Sequence, residues 1–579
     1  MKILFLTIFN CLFIYTVLAQ DLNVTSAGYV IPASSTVNYA SVNLQLGATL
    51  TLAANSTLIL SGSVNYNGTG TIITLEAGST LNAASINMNT GLNGILTIGT
   101  GAKVILAGDL NALNPSAITM NNGALLTVQN TINTDFSNIT VNPNAIINCK
   151  DFNMSGSTAL KLNNAKVNVT STTNGFSLSG GIVTMTNGSE LNISNNLNGN
   201  SAAINPTIDM SGGSKIYLKK DLNNSHALGN PLFTPGSQPI VILNGTGDQY
   251  IRGNNVFYDL ICQTSSKKII EGNTSNTEVQ HVLELGNAEL SIGDLTLKVS
   301  SPNLTAITRG TGFISNDSYN GVFTRVTNQI GDYLFPVGGV IAGTVYYRPV
   351  IVRPSSTATG EYAAKFVPLT VNSHPVNQVG TSLIAASQEP LNKIYYHKIR
   401  KFSGPAASLS IYYNPTIDAA YNAIAHWNVP GAETNVWSAI NDLSAGIPLS
   451  PLLSVRANLY NDFSDTDQDF VLAKGKAQNL VSEPTFDVLK KKLDGGYYLT
   501  KEKVLYFKFD EEYAVSSAAI LNCKIYNKSR NEIPVNTLPV KYGDNRYQLD
   551  ASYLNTNEYY TLEVVNSKNE KWLLRFKVD

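Results

Sequence analysis

Thr100-Gly-Ala-Lys-Val-Ile-Leu106, followed by Asn122-Gly-Ala-Leu-Leu-Thr-Val128, decides how this chain folds. Each stretch carries near its start a Gly or Asn that tolerates positive φ, then a small residue, and ends in a run whose alternate side chains are apolar. The same unit stands at Leu46-Gly-Ala-Thr-Leu-Thr-Leu52, Ala77-Gly-Ser-Thr-Leu-Asn82 and Pro143-Asn-Ala-Ile-Ile-Asn-Cys149. It returns at Asn164-Ala-Lys-Val-Asn-Val169, Asn187-Gly-Ser-Glu-Leu-Asn-Ile193 and Gly212-Gly-Ser-Lys-Ile-Tyr-Leu218. From Gly78 the turn residue recurs at Gly101, Gly123, Asn144, Asn164, Gly188 and Gly213, at intervals of 20 to 25 residues.

A turn with period-two strands cannot bury an apolar face alone, whereas stacked copies build one continuous core and pair every strand with its neighbours. The alternation places Leu81, Val104, Val128, Val167, Leu191 and Ile216 inside. A second short apolar segment follows in each unit, as in Asp109-Leu-Asn111 and Asp221-Leu-Asn223. The expectation is an all-β chain, with a right-handed parallel β-helix (solenoid) of two or three short strands per coil over residues 20–240. Asparagines at equivalent turn positions are placed to stack as amide ladders. The persistent Val/Ile/Leu alternation argues against a disordered polar tract.

Around this repeat the composition is unusual. Between Asp21 and Tyr250 there is no arginine and no tryptophan, about 7% of residues are charged and about one in six is asparagine; beyond Tyr250 the charged fraction rises to about 19%. That shift marks regions stabilised differently. Residues 241–475 read as a β-rich continuation and antiparallel β-sandwich, with longer aromatic runs such as Leu409-Ser-Ile-Tyr-Tyr413 between Gly, Pro, Asn and Ser clusters. Residues 476–494 read as a linker or helix containing Lys490-Lys-Lys492, and 495–579 as a small C-terminal β-sandwich. In that tail Val504 to Phe509, Leu521 to Tyr526, Tyr560 to Val565 and Lys571 to Val578 are the expected strands, the last presenting Trp572, Leu574, Phe576 and Val578 on one face.

The N-terminus carries Lys2, a mostly apolar run from Ile3 to Leu18 and a small residue at Ala19, the pattern of a signal peptide over 1–19 and hence of an exported protein. No later stretch reaches the length of a spanning helix. The formal net charge of −1, with few and mixed charges, offers no field to gather nucleic acid. Cys149, Cys262 and Cys523 are odd in number and without C-x-x-C spacing, so neither a disulfide framework nor a zinc site is expected.

Three stretches resemble multidomain surface proteins of bacteria that use a type IX secretion system. Asn244-Gly-Thr-Gly-Asp-Gln-Tyr-Ile-Arg-Gly253 with Val256-Phe-Tyr-Asp-Leu260 is similar to a recurring signature near the end of that family's repetitive region. Tyr333-Leu-Phe-Pro-Val-Gly338 with Tyr347-Arg-Pro-Val350, then Trp427 and Trp437, resembles the sandwich that follows it. Lys524-Ile-Tyr-Asn527, Tyr547-Gln-Leu-Asp550, Leu554, Tyr559-Tyr-Thr-Leu-Glu-Val564 and Arg575-Phe-Lys577 resemble a C-terminal sorting domain, without the Pro-Asn-Pro opening and with Asn557-Glu558 in place of the usual glycine. The resemblance implies recognition of the tail by outer-membrane secretion machinery, followed by its removal or its retention for surface attachment.

Catalytic parts are sparse. Beyond Asp21 the repeat region holds Asp109, Asp135, Asp151, Asp209, Asp221, Asp248, Glu76 and Glu190, mostly singly, and only His226 as a base. Asp109 and Asp221 fall at matching repeat positions. Asp462-Phe-Ser-Asp465-Thr-Asp467-Gln-Asp469 has the alternation that could offer oxygens to calcium, but Phe470 replaces the glycine of such a loop, and an acidic turn before a strand is the simpler reading. His226, His281, His374, His397 and His426 share no ligand spacing, and His426-Trp427 reads as an interior or rim pair. No catalytic, cofactor-binding or metal residue is assigned. The expected function is a secreted or cell-surface structural and adhesin-like protein, non-catalytic, with the solenoid as stalk or binding face and glycans or surface proteins as partners. The alternative is a secreted carbohydrate-binding or polysaccharide-degrading β-helix.

Overall fold

The computed structural model describes residues 19–578 apart from 89–90, 92, 114, 201–204, 227–229, 273–275, 317–319, 370–387, 428–436, 441–442, 447, 461–462, 464, 476–490, 493–496, 500–502, 509–519, 529–530, 536–538, 544–545 and 567–570. The expected signal peptide, but for its last residue, lies outside the described residues, as does all of the expected linker except Lys491–Lys492.

The repeat forms a parallel β-solenoid of about 14 coils. One coil consists of Val64–Tyr66, Ile72–Leu75 and Thr80–Ala83, and the next of Ile86–Met88, Gly94–Ile98 and Lys103–Leu106. Each strand lies in parallel register on its counterpart, Ile86 on Val64, Ile95 on Ile72 and Lys103 on Thr80. Three faces result. The second is a nine-stranded sheet from Tyr29–Ile31 to Thr207–Met210. The first and third join where Leu125–Asp135 and Ile146–Ser155 run through a corner as single strands, with a register break after Val128. Backbone hydrogen bonds between coils therefore run along the axis of the rod.

The corners explain the turn residues. Gly78, Gly101, Gly123, Asn144, Asn164, Gly188 and Gly213 all have positive φ, between 46° and 77°. The small residue that follows each turn points inward where the chain bends, as Ser79, Ala102, Ala124, Ala145, Ala165, Ser189 and Ser214, all buried. The serine hydroxyls there donate to the carbonyl three residues back, Ser79 to Glu76 and Ser189 to Thr186, each at 2.7 Å. Val128 and Val167 are buried as expected, and rings stack between coils as Phe152 on Phe176 at 5.1 Å.

Amide ladders are present, but the longest is not at a turn. Asn23, Asn43, Asn65, Asn87, Asn111, Asn133 and Asn153 occupy the outward mid-strand position of the first face. From Asn43 onward each Nδ2 donates to the Oδ1 one coil earlier, over 3.0–3.3 Å. At the turns only short pairs form, such as Asn144 to Asn122 at 3.0 Å. Ser177 interrupts the column, which resumes with Asn223 Nδ2 donating to Asn198 Oδ1 at 2.8 Å, and Arg252 Nη1 then donates to the Asn223 Oδ1 at 2.8 Å as an amide would.

The antiparallel reading from residue 241 onward needs correction for its first third. Parallel pairing continues past 240, through Asn255–Cys262 on Ile240–Leu243, to Ile314–Ser315 on Val337–Gly338. The long strands Asn255–Cys262 and Asn276–Glu284 are two faces fused at a bulge after Phe257, so they imitate the longer strands of an antiparallel sheet. Val322–Thr327 is the hinge of the architecture. One side pairs parallel with Thr296–Val299 of the solenoid and the other antiparallel with Gly360–Pro368.

From there the chain forms an antiparallel unit. One sheet adds Tyr395–Ser403, Gln468–Gly475, Ala423–Trp427 and Trp437–Ala439. The other consists of Tyr333–Phe335, Val350–Pro354, Ala407–Tyr413, Leu453–Tyr460 and Leu443–Ala445. Val299, Phe323, Phe335, Tyr362, Phe366 and Ile411 belong to the same core as the coils, so this unit caps the solenoid rather than hanging from it. The tail has a core of its own, including Leu505, Phe507, Ile525, Leu562, Leu574, Phe576 and Val578. Its strands Val504–Lys508, Ile520–Tyr526, Glu558–Asn566 and Lys571–Val578 match the expected segments, and Lys491–Lys492 pairs with Trp572–Leu573. Among the described residues no helix is long and apolar enough to cross a membrane.

Candidate binding groove on the solenoid

The matched aspartates are corner braces. Asp109 Oδ1 accepts from Asn130 Nδ2 at 2.6 Å and from the Thr131 N–H at 3.0 Å, one coil later. Asp221 takes the Tyr250 N–H at 3.0 Å, Asp151 the Gly175 N–H at 2.9 Å and Asp259 the Val282 N–H at 2.9 Å. Each carboxylate satisfies an N–H that the bend removes from the ladder. The signature around Gln249 has a similar role. Buried Gln249 donates to the Leu218 and Lys220 carbonyls at 2.8 Å, and its Oε1 accepts from Gly245 N–H and from buried Lys268 Nζ at 2.7 Å. Gly253, at φ +79°, sits where an added Cβ would lie 2.0 Å from the Asn224 carbonyl, so only glycine fits.

Of the suggested calcium loop, Asp462 and Ser464 lie outside the described residues. Asp467 pairs with Lys365 Nζ at 2.6 Å and Asp469 faces Lys398 Nζ at 3.8 Å, so lysines stand where a cation would be needed. Among the described residues no three His, Cys, Asp or Glu side chains gather at a metal-binding spacing. His426 is interior, stacked on Phe470 at 4.5 Å and hydrogen-bonded to the Tyr460 hydroxyl. Burial pushes its pKa down to about 4.

A dense polar cluster in the antiparallel unit is internal. Asp418 takes a bidentate guanidinium from Arg348, the Tyr395 hydroxyl at 2.9 Å and the Asn414 N–H at 2.8 Å, so both its oxygens are engaged. His397 Nε2 donates to the Arg348 carbonyl at 2.8 Å, and burial pushes its pKa down to about 4. Arg325, also buried, gives its guanidinium to the Leu334 and Asn303 carbonyls and lies over the Tyr333 ring at 5.1 Å. These groups fix strands to one another.

A different arrangement occurs on the third face of the solenoid. Asn148, Asn168 and Asn192 share one outward column, with Asn168 Nδ2 donating to Asn148 Oδ1 at 2.8 Å and Asn192 Nδ2 to Asn168 Oδ1 at 3.0 Å. The next positions in that column are Tyr217 and Ile242, so the ladder stops. Beside it runs a second line, Thr170, Ser194, Lys219 and Asn244, where the strands leave the face. Between the two lines lies an open groove of about 430 Å³. The sequence reading overlooked it, although the quoted repeats contain its signal. Ile147-Asn-Cys149, Val167-Asn-Val169 and Leu191-Asn-Ile193 give way to Ile216-Tyr-Leu218 at the same outward position.

No protein-family model matches the chain, and no curated protein and no solved structure matches it either.

Proposed function

We propose that this chain is an exported, non-catalytic surface protein in which the solenoid is a rigid spacer that carries a binding face. The observation that carries this reading is the unbroken parallel ladder from Leu22 to Gly338, closed at its far end by an antiparallel cap sharing its core. About 14 coils at the usual strand spacing make a rod of about 65 Å. A right-handed sense is the one parallel β-crossovers take, and the two facing antiparallel sheets of each later unit are read as β-sandwiches. The tail, with its separate core, is read as the sorting domain of a type IX cargo, and residues 1–19 as its export signal. The corner aspartates and the internal Arg348–Asp418 cluster hold structure, which favours the spacer reading over the degradative alternative.

The reading is tested in two steps. X-ray scattering from the purified chain should give an elongated particle with a rod-like cross-section; a compact particle would refute the spacer. A chain lacking residues 495–579 should fold but remain in the periplasm of a type IX-competent host, while the tail fused to a reporter should carry it to the surface. Normal surface display of the truncated chain would sink the sorting assignment.

A further inference from the structure

We infer that the groove between Asn192 and Asn244 is a glycan-binding subsite for two or three sugar units of a polysaccharide lying along the third face. The inference deepens the reading of the solenoid as a surface-borne binding rod and rests on it. Three observations converge. The first is the interrupted ladder. As Ser177 breaks the first-face column after Asn153, Tyr217 breaks this one after Asn192, so the Asn192 Oδ1 has no amide above it. Its carbonyl is left as an acceptor facing the groove.

The second is a local cluster of polar groups: the Tyr217 hydroxyl, Ser194 Oγ and Lys219 Nζ line the same groove as Asn192, whereas the occluded Asn244 Oδ1 is out of a ligand's reach. The Asn192 Oδ1 is an acceptor only, Lys219 Nζ a donor only, and the two hydroxyls serve both ways. Such a mixture fits vicinal sugar hydroxyls, each of which donates once and accepts twice. An anion such as phosphate needs donors alone, and an apolar ligand would leave all four groups without partners.

The third is Tyr217 itself. It is the one aromatic ring among the groove residues, standing in its column between Asn192 and Ile242. A sugar ring presents a face of C–H groups that packs against an aromatic ring, while its equatorial hydroxyls reach sideways to polar neighbours. A volume of about 430 Å³ lies in the range of small-molecule sites. The open ends, along the rod axis, allow a chain to run through rather than terminate.

The test uses the purified full chain against an array of neutral hexa-saccharides (β-glucan, xylan, mannan and chitin fragments) together with oligogalacturonate, followed by calorimetric titration of the best binder. At least one glycan should bind. Tyr217→Ala and Asn192→Leu should each weaken it tenfold or more, with melting temperature unchanged. Lys219→Ala should weaken oligogalacturonate more than any neutral glycan, and its exposed side chain keeps the test independent of folding. Thr97→Ala, on the second face, should bind as the parent does. Absence of binding to every glycan, or binding unaffected by Tyr217→Ala, Asn192→Leu and Lys219→Ala alike, would overturn the groove assignment while leaving the rod and export results to stand or fall by themselves.

Discussion

The solenoid and the antiparallel cap share one core and are both all-β, yet they satisfy their polar groups by opposite means. In the solenoid like meets like. Asn111 lies on Asn87 and under Asn133, so a residue with one donor and one acceptor side repeats indefinitely without any charge. In the cap unlike meets unlike. Arg348 needs Asp418, Asp418 needs Tyr395, and the three come from strands and loops as many as 70 residues apart. A translational repeat can be charge-poor because each rung supplies its neighbour's partner, whereas a single-copy sheet has to find its partners elsewhere in the chain. The rise in charged residues after Tyr250 begins within the last coils, where Arg252 pairs with Asp221 and Glu271, and continues into the cap.

The contrast can be broken most forcefully from the solenoid interior. Val167→Asp places a carboxylate where no rung offers a partner, and it should destabilise the chain by about 4 kcal/mol, read as a fall in the urea midpoint. An unchanged midpoint would mean that the inward column has been assigned to the wrong face. A smaller effect sharpens the other side of the comparison. His397 and His426 are buried neutral with pKa values near 4, against about 6.5 in the unfolded chain. Their folded pKa values are depressed, so their stability contribution is complete above pH 6.5 and is lost as pH falls from there toward 4, by up to about 3 kcal/mol each. Midpoints measured from pH 7.5 to 4.5 should decline, and His397→Gln should flatten the decline; an equally steep profile would place the titrating groups elsewhere. The smallest effect belongs to the ladder. Asn111→Ala removes two side-chain hydrogen bonds in mid-column and should cost about 1 kcal/mol, whereas Asn23→Ala, at the ladder's end, should cost about half as much. Equal costs would show that the amides act singly.

How much of this was readable beforehand depended on whether the relevant partner was a repeat or a distant residue. Gly101, Gly123 and Asn144 could be placed because a corner demands positive φ and few residues accept it. Val128 and Val167 could be placed because the period of two fixes a face. Strand direction could not. Alternation along Asn255–Cys262 looks alike in parallel and antiparallel pairing, so the solenoid was expected to end about 100 residues too early. The ladder column was misplaced for a related reason, since asparagine is equally at home at a turn and on an outward strand position. Asp109 and Asp221 were correctly matched, but their task as corner acceptors needed the coil that follows. The groove was hidden in plain text, because a departure from a repeat carries meaning only once the register of its column is known.

The hydrogen bonds that join the coils run along the rod, and this sets how it would behave under load. Tension applied between the two ends is parallel to those bonds, so they separate in succession, coil by coil, instead of all resisting together as strands in shear would. Each coil that lets go releases its 20 to 25 residues, about 70–80 Å of slack chain, while the remaining coils stay stacked. A tether built this way would yield in steps and rewind when the pull relaxes, because any intact coil presents the template on which the next can re-form.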